Sequence, residues 1–380
     1  AEHLPVREVD APDRGYCPMY PQPDGENRIN DLLNGTRLLV TGRRGDHWRV
    51  RLAPGQEVWI PINSADEQFT RERPHDAPPR GRLENLIVEA EGRDLVLAMD
   101  LSDRVPADID CRDDLTALEV NLFNLTDLPA QTPNVPENSL LTSLSWRRGA
   151  EARATLVVGV RRPLWGWDAR WQGSTLRIRL RAAPPRSADS DTTLSGLTIL
   201  VDPGHGGDDS GALGSTGLEE KEVNLSVSRL LAAALRRRGA DVRLLRDSDT
   251  TIPLNARYRG SVDVAPASSP ALFVSIHSNS IAVTADPMAS QGTTTYFARP
   301  HSEPLARAIS RRLAALEPLH DNGVQTQNIR VLRQPQFPAV LVENLFLSHP
   351  GDEERLLDRA WHQRLAEAIA QGIEDFCDSR

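Results

Sequence analysis

Near residue 194 the chain changes its hydrophobic period, and that change constrains the fold more than any other feature. Upstream, apolar and polar residues alternate in Leu95–Leu101, Leu118–Leu122, Ala154–Val160 and Thr175–Leu180. A two-residue period puts one strand face in a core and the other in solvent, so these segments predict half-buried β-strands. Downstream, Leu197-Thr198-Ile199-Leu200-Val201 is a continuous apolar run, which fits a strand covered on both faces of a parallel sheet. A helical pattern follows over Lys221–Arg238, with Val223, Val227, Leu230, Leu231, Ala234 and Leu235 on one side and Gly239 as its stop. Strands are then expected at 242–245, 271–276, 293–298 and 339–342, and helices near 254–262, 303–316 and 352–376. Such alternation predicts an α/β domain with a mostly parallel sheet and right-handed crossovers.

Two Pro-rich, charged stretches, Arg71–Arg80 and Ala182–Thr193, lack any period and read as linkers. They divide the chain into 1–72, 80–182 and 194–380: two small all-β domains followed by the α/β domain. In the first, strands Thr36–Gly42, Gly45–Leu52 and Val58–Ile60 are separated by glycine turns, the pattern of a small barrel. The second reads as a β-sandwich. Within it Trp165, Trp167 and Trp171 would share one face of a continuous strand. Such a row either stacks on sugar rings or fills the sandwich core, and core filling is the expectation.

Composition excludes some classes of function. With a net charge of −9 the chain is not held on nucleic acid by its overall field. No run of 18 or more apolar residues provides a membrane span. The polar start Ala1-Glu2-His3 is not a signal peptide. Cys17, Cys111 and Cys377 form no C-x-x-C motif. Of the 44 basic residues only Lys221 is a lysine.

In open α/β sheets, function collects past the carboxyl ends of the strands. Here the strand ends carry Asp202-Pro203-Gly204-His205-Gly206-Gly207, Ser275-Ile276-His277-Ser278-Asn279 and Glu343, and the long helix starts with Glu219, Glu220 and Glu222. Two histidines and a carboxylate, with a position left for water, are a ligand set for catalytic Zn2+, and a second carboxylate can serve as base. No H-E-x-x-H helix is present. These residues alone indicate a metal-dependent hydrolase. Asp202 is expected either to orient a ligand histidine or to cap its own turn.

Four phrases occur in order: Val201–Gly207, Glu220-Lys221-x-x-Asn224-Leu225, Ser275–Asn279 and Pro338–Glu343. With Ile252-Pro253-Leu254-x-x-Arg257 and Gly292-x-x-Thr295-Tyr296-Phe297, the region 196–376 resembles the zinc-dependent N-acetylmuramoyl-L-alanine amidases of the amidase-3 family. The first segment resembles SH3-like modules of cell-wall enzymes, and the second the AMIN domain that targets such enzymes to peptidoglycan.

The resemblance implies that His205, Glu220 and His277 bind zinc and that Glu343 is the catalytic glutamate. It implies hydrolysis of the amide between N-acetylmuramic acid and L-alanine in peptidoglycan, for cell-wall remodelling or daughter-cell separation, in the periplasmic or extracellular cell envelope. The alternatives are a catalytically silent peptidoglycan-binding or regulatory protein and a zinc peptidase of the stem peptide; the intact residue set and the motif order disfavour them. Leu345 stands where the family usually has glycine, which is expected to narrow the pocket. Residues 278–291 are too few for the inhibitory helix of some members, so no activator partner is expected. Glu219 and Glu222 read as first-turn acids, Arg236-Arg237-Arg238 as a solvated helix end, and His301, His320, His349 and His362 as surface residues.

Overall fold

The computed structural model describes residues 6–10, 16–23, 28–61, 68–73, 80–128, 133–135, 140–150, 152–184, 193–254, 256–257 and 272–380. Most of both linkers and most of the expected helix at 254–262 lie outside the described residues. The chain divides into two compact units, Ala1–Ala182 and Ala183–Arg380.

The first unit is all β. Five antiparallel strands form one sheet in the order Gln56–Pro61, His47–Ala53, Arg37–Arg44, Val6–Asp10, Gln68–Arg73. A four-stranded and a five-stranded sheet follow, and their inner faces share one core: Leu97 and Met99 from one sheet meet Leu118 and Val120 from the other. The predicted modules pack together within this unit, since Tyr16 and Leu33 join the sandwich core and Phe123 joins that of the first sheet. Trp167 is 2% exposed, and Trp171 packs on the same core with its indole N–H donating to Thr36 Oγ1. The aromatic row therefore fills the interior, and Trp165 lies outside the strand Gly166–Gln172.

Among its described residues the second unit holds six strands: β1 Thr198–Pro203, β2 Asp241–Leu244, β3 Leu272–Asn279, β4 Thr293–Phe297, β5 Asp321–Thr326 and β6 Ala339–Phe346. Their order is β2-β1-β3-β6-β4-β5, with β2, β1, β3 and β6 mutually parallel and the β4–β5 pair running the other way. Buried runs such as Ile199–Val201 and Leu272–Val274 are fully apolar because helices cover the sheet. Those helices are α1 Glu220–Arg237, α2 Glu303–Ala314, α3 Pro350–Leu357 and α4 Arg359–Asp378, with α4 packed on both α1 and α2.

Three expectations are corrected here. The single C-terminal helix is two, because the side chain of Asp358 accepts from the Ala360 N–H and caps a new start. The polar strand β5 has no hydrophobic period to announce it; it forms by pairing with the sheet edge at β4. The arginines ending α1 are not simply solvated: Arg238 is paired to Glu367 and Glu374 on α4, and Arg236 donates to the carbonyl of Val242.

Candidate active site and metal centre

The loop leaving β1 turns sharply enough to put His205 at φ 58, in the left-handed region that disfavours a side chain. Its carbonyls are secured one by one. Pro203 O accepts from Arg246 Nε (3.0 Å) and Arg257 Nη1 (2.7 Å), and Gly204 O from Arg246 Nη2 (2.8 Å). His205 O accepts from Arg257, Gly206 O from the Asp209 N–H, and Gly207 O from Lys221 Nζ at 2.8 Å. Both arginines are buried, and Arg257 is charge-balanced by fully buried Asp202. Asp202 thus contacts no histidine; it accepts from Arg257 and from Ser275 Oγ.

The loop is also shaped by absent side chains. A Cβ on Gly204 would lie 2.3 Å from the His277 ring, and one on Gly211, at φ +68, would lie 2.5 Å from Glu220 Oε2.

Glu220, the first residue of α1, is 4% exposed and turned toward the histidines. Glu219 instead pairs with Lys221, and Glu222 is exposed. Glu220 Oε2 lies 3.1 Å from His205 Nε2, and Oε1 lies 3.0 Å from His277 Nδ1. Its oxygens also accept from the N–H groups of Ala212 and Ser278 and from Asn224 Nδ2. Burial alone would raise its pKa, but the bonds and charges of both histidines hold it far below the usual carboxylate range. His205 moves oppositely: burial works against its charge, yet Glu220 and then Asp209 push it up to about 9. Asp209 Oδ2 sits 2.9 Å from His205 Nδ1, so that the opposite ring nitrogen, Nε2, is the one turned to Glu220.

His205, Glu220 and His277 form the one metal-competent cluster among the described residues, with donor atoms within 4.8 Å of one another. Donors at 2.0–2.1 Å around a tetrahedral zinc ion stand about 3.3 Å apart. The N,N,O donor set, one atom from each residue, suits that ion in kind and lies close enough to close around it.

Glu343 lies inside β6 rather than past its end, in register with His277 on β3. Its Oε2 is closed off from solvent and has no hydrogen-bond partner. Burial pushes its pKa up to about 7; His277 opposes the rise and Glu220 adds to it. Beyond Glu343 the ladder slips by one residue, so that Phe346 pairs with Asn279. Leu345 is fully buried and does not line the cavity beside Glu343, whereas Phe346 does.

Sequence reasoning thus named the residues that converge, but missed Asp209 and the carbonyl contacts of Arg246 and Arg257. Asp209, four residues from His205 in a glycine-rich loop, was the available signal. The histidines expected at the surface are mostly interior: His301, His349 and His362 are buried, and His320 is exposed. His349 accepts from the Asp352 N–H at the start of α3, and His362 bridges Ser226 and the Leu356 carbonyl.

A family model described as N-acetylmuramoyl-L-alanine amidase matches residues 199–375. The chain is 32% identical over 217 residues to a probable cell wall amidase, LytH, of Staphylococcus epidermidis, covering 56% of this chain and 68% of that protein. It is 30% identical over 218 residues to N-acetylmuramoyl-L-alanine amidase AmiA of Salmonella typhimurium, covering 46% of this chain and 74% of AmiA. Among solved structures it is similar to N-acetylmuramoyl-L-alanine amidase AmiC2 of Nostoc punctiforme, 34% identical with a TM-score of 0.45, over 48% of this chain and 99% of that one.

Proposed function

The chain belongs to the amidase-3 family of N-acetylmuramoyl-L-alanine amidases, and on that premise we propose that it is a zinc enzyme in which His205, Glu220 and His277 hold the metal and Glu343 is the base. The observation that carries this reading is the convergence of the three donors with Glu343, the ladder partner of His277, whose Oε2 is closed off from solvent and unpartnered. When bound, zinc lowers the pKa of a coordinated water and polarises the amide carbonyl.

Glu343 takes a proton from the attacking water and delivers it to the departing alanine nitrogen. The C–N bond breaks, leaving a lactyl carboxylate on the sugar and a free amino terminus on the stem peptide. Burial keeps Glu343 basic enough for this, since its pKa stands near 7 rather than in the ordinary carboxylate range. Asp209 fixes the His205 ring so that Nε2 would be the atom offered to a bound ion, and the contacts of Arg246, Arg257 and Lys221 keep the strained loop in place.

The all-β unit is read as an SH3-like module over 1–72 and an AMIN-like module over 80–182 that hold the enzyme on peptidoglycan, ahead of the catalytic domain at 194–380. We place the protein in the cell envelope, acting in wall remodelling. Activity without an activator is part of the same proposal, and rests on the short length of residues 278–291.

The test is digestion of purified sacculi followed by mass spectrometry, with and without chelator. Stem peptides ending in free L-alanine, absent after chelation and restored by zinc, are expected. Glycan fragments would refute the reading. Glu343→Gln is expected to retain zinc and lose turnover by about two to four orders of magnitude.

A further inference from the structure

Beside Glu343 lies a cavity of about 320 Å3 that the proton transfers above do not use. Its size falls within the range of small-ligand sites. Thr294, the ladder partner of Glu343, and Tyr296 form its floor on β4, and Asn279, two residues past His277, joins it from β3. Thr294 and Asn279 thus set it next to the strand positions of Glu343 and His277, which do not themselves line it.

Its lining is mostly polar, with Met288, Ala289 and Phe346 as its apolar members. The carboxamides of Asn279, Gln291, Asn322 and Gln325 line it, together with the hydroxyl of Ser290 and the ring of Phe346. No Asp, Glu, Lys or Arg is among its described lining residues, and His320 is exposed. Carboxamides and hydroxyls both donate and accept, so they can satisfy an amide completely. A carboxylate there would find no guanidinium or ammonium partner among the described lining residues.

We propose that this cavity receives an uncharged, amide-bearing part of the peptidoglycan substrate and selects against a charged group at that position. The proposal rests on the amidase reading. Two parts of peptidoglycan offer the chemistry: the amidated α-carboxyl of the second stem residue and the N-acetyl group of the muramic acid.

The test uses the full chain loaded with zinc and soluble glycan strands in three forms. One has the second stem residue amidated, one has its α-carboxylate free, and one is amidated but has its muramic acids de-N-acetylated. Peptide release is followed by mass spectrometry as kcat/KM. At least a tenfold drop is expected on the free-carboxylate strand if the cavity holds the second stem residue, or on the de-N-acetylated strand if it holds the sugar acetamide. Gln325→Lys, at an exposed position of β5, should narrow the first drop at least threefold by pairing with the carboxylate, or widen the second by repelling the amine. Equal rates on all three strands overturn the proposal, as does a drop that Gln325→Lys leaves unchanged. Release from none of the strands overturns the amidase reading instead.

Discussion

In the metal-free protein Glu343 should be a pH-dependent burden on the catalytic unit, and Glu343→Gln should remove it. The Oε2 atom is buried with no hydrogen-bond partner, and burial raises the pKa from 4.5 to about 7. Below pH 4.5 the group is protonated in folded and unfolded chains alike and costs nothing through ionisation. As pH rises, the unfolded chain ionises first while the folded one holds its proton, so stability falls until the folded group ionises near 7 and then levels off. At about 1.4 kcal/mol per tenfold change in affinity, the loss totals about 3 kcal/mol. For a unit of this size that is roughly 6–12 °C in melting temperature. Scanning calorimetry in chelator, from pH 4 to 8, should show the wild type falling behind Glu343→Gln by this amount, chiefly between pH 4.5 and 7. His205 and Glu220 are present in both proteins, so their own titrations largely cancel in the comparison. Added zinc should shrink the pH-dependent gap, because a cation supplies the charge the carboxylate lacks. A gap that does not change with pH would refute the burial argument, and with it the reason for assigning Glu343 as a base poised near neutrality.

Three further predictions test the metal loop. Gly204→Ala places a Cβ 2.3 Å from the His277 ring, so zinc affinity measured by chelator competition should fall at least tenfold while circular dichroism stays native; unchanged affinity would mean the ring is not confined as described. Asp209→Asn removes the carboxylate from His205 Nδ1 and should cost 10–100-fold in zinc affinity, a loss that Asp209→Glu partly restores. Lys221 alone among the basic residues is lysine, and its ammonium reaches Gly207 O, Glu219 and Asp249 at 2.8–3.2 Å. A planar guanidinium does not fit three such partners in the same way, so Lys221→Arg should lower zinc affinity or kcat; wild-type values for both would leave the lone lysine to codon usage.

What was legible in the sequence was what depends on neighbours in the chain. The change of period at residue 194 announced an all-β region followed by an α/β one, because strand and helix periods are local geometry. The glycines around His205, the ordered motifs and the candidate residues His205, Glu220, His277 and Glu343 could be named for the same reason: tight turns and strand ends leave their residue types in place. The break between α3 and α4 was also written there, in the capping residue Asp358.

Tertiary structure alone decided partnership and burial. It gave Asp202 to Arg257, across 55 residues, rather than to a histidine, and supplied His205 with Asp209 instead. It closed three histidines into the interior, where periodicity within one segment says nothing about the neighbouring layer. It also set the state of Glu343, since desolvation and the fields of His277 and Glu220 arise only when β3, β6 and α1 meet. A carboxylate becomes a base near neutral pH through what surrounds it in space, and contacts between residues far apart in the chain create those surroundings.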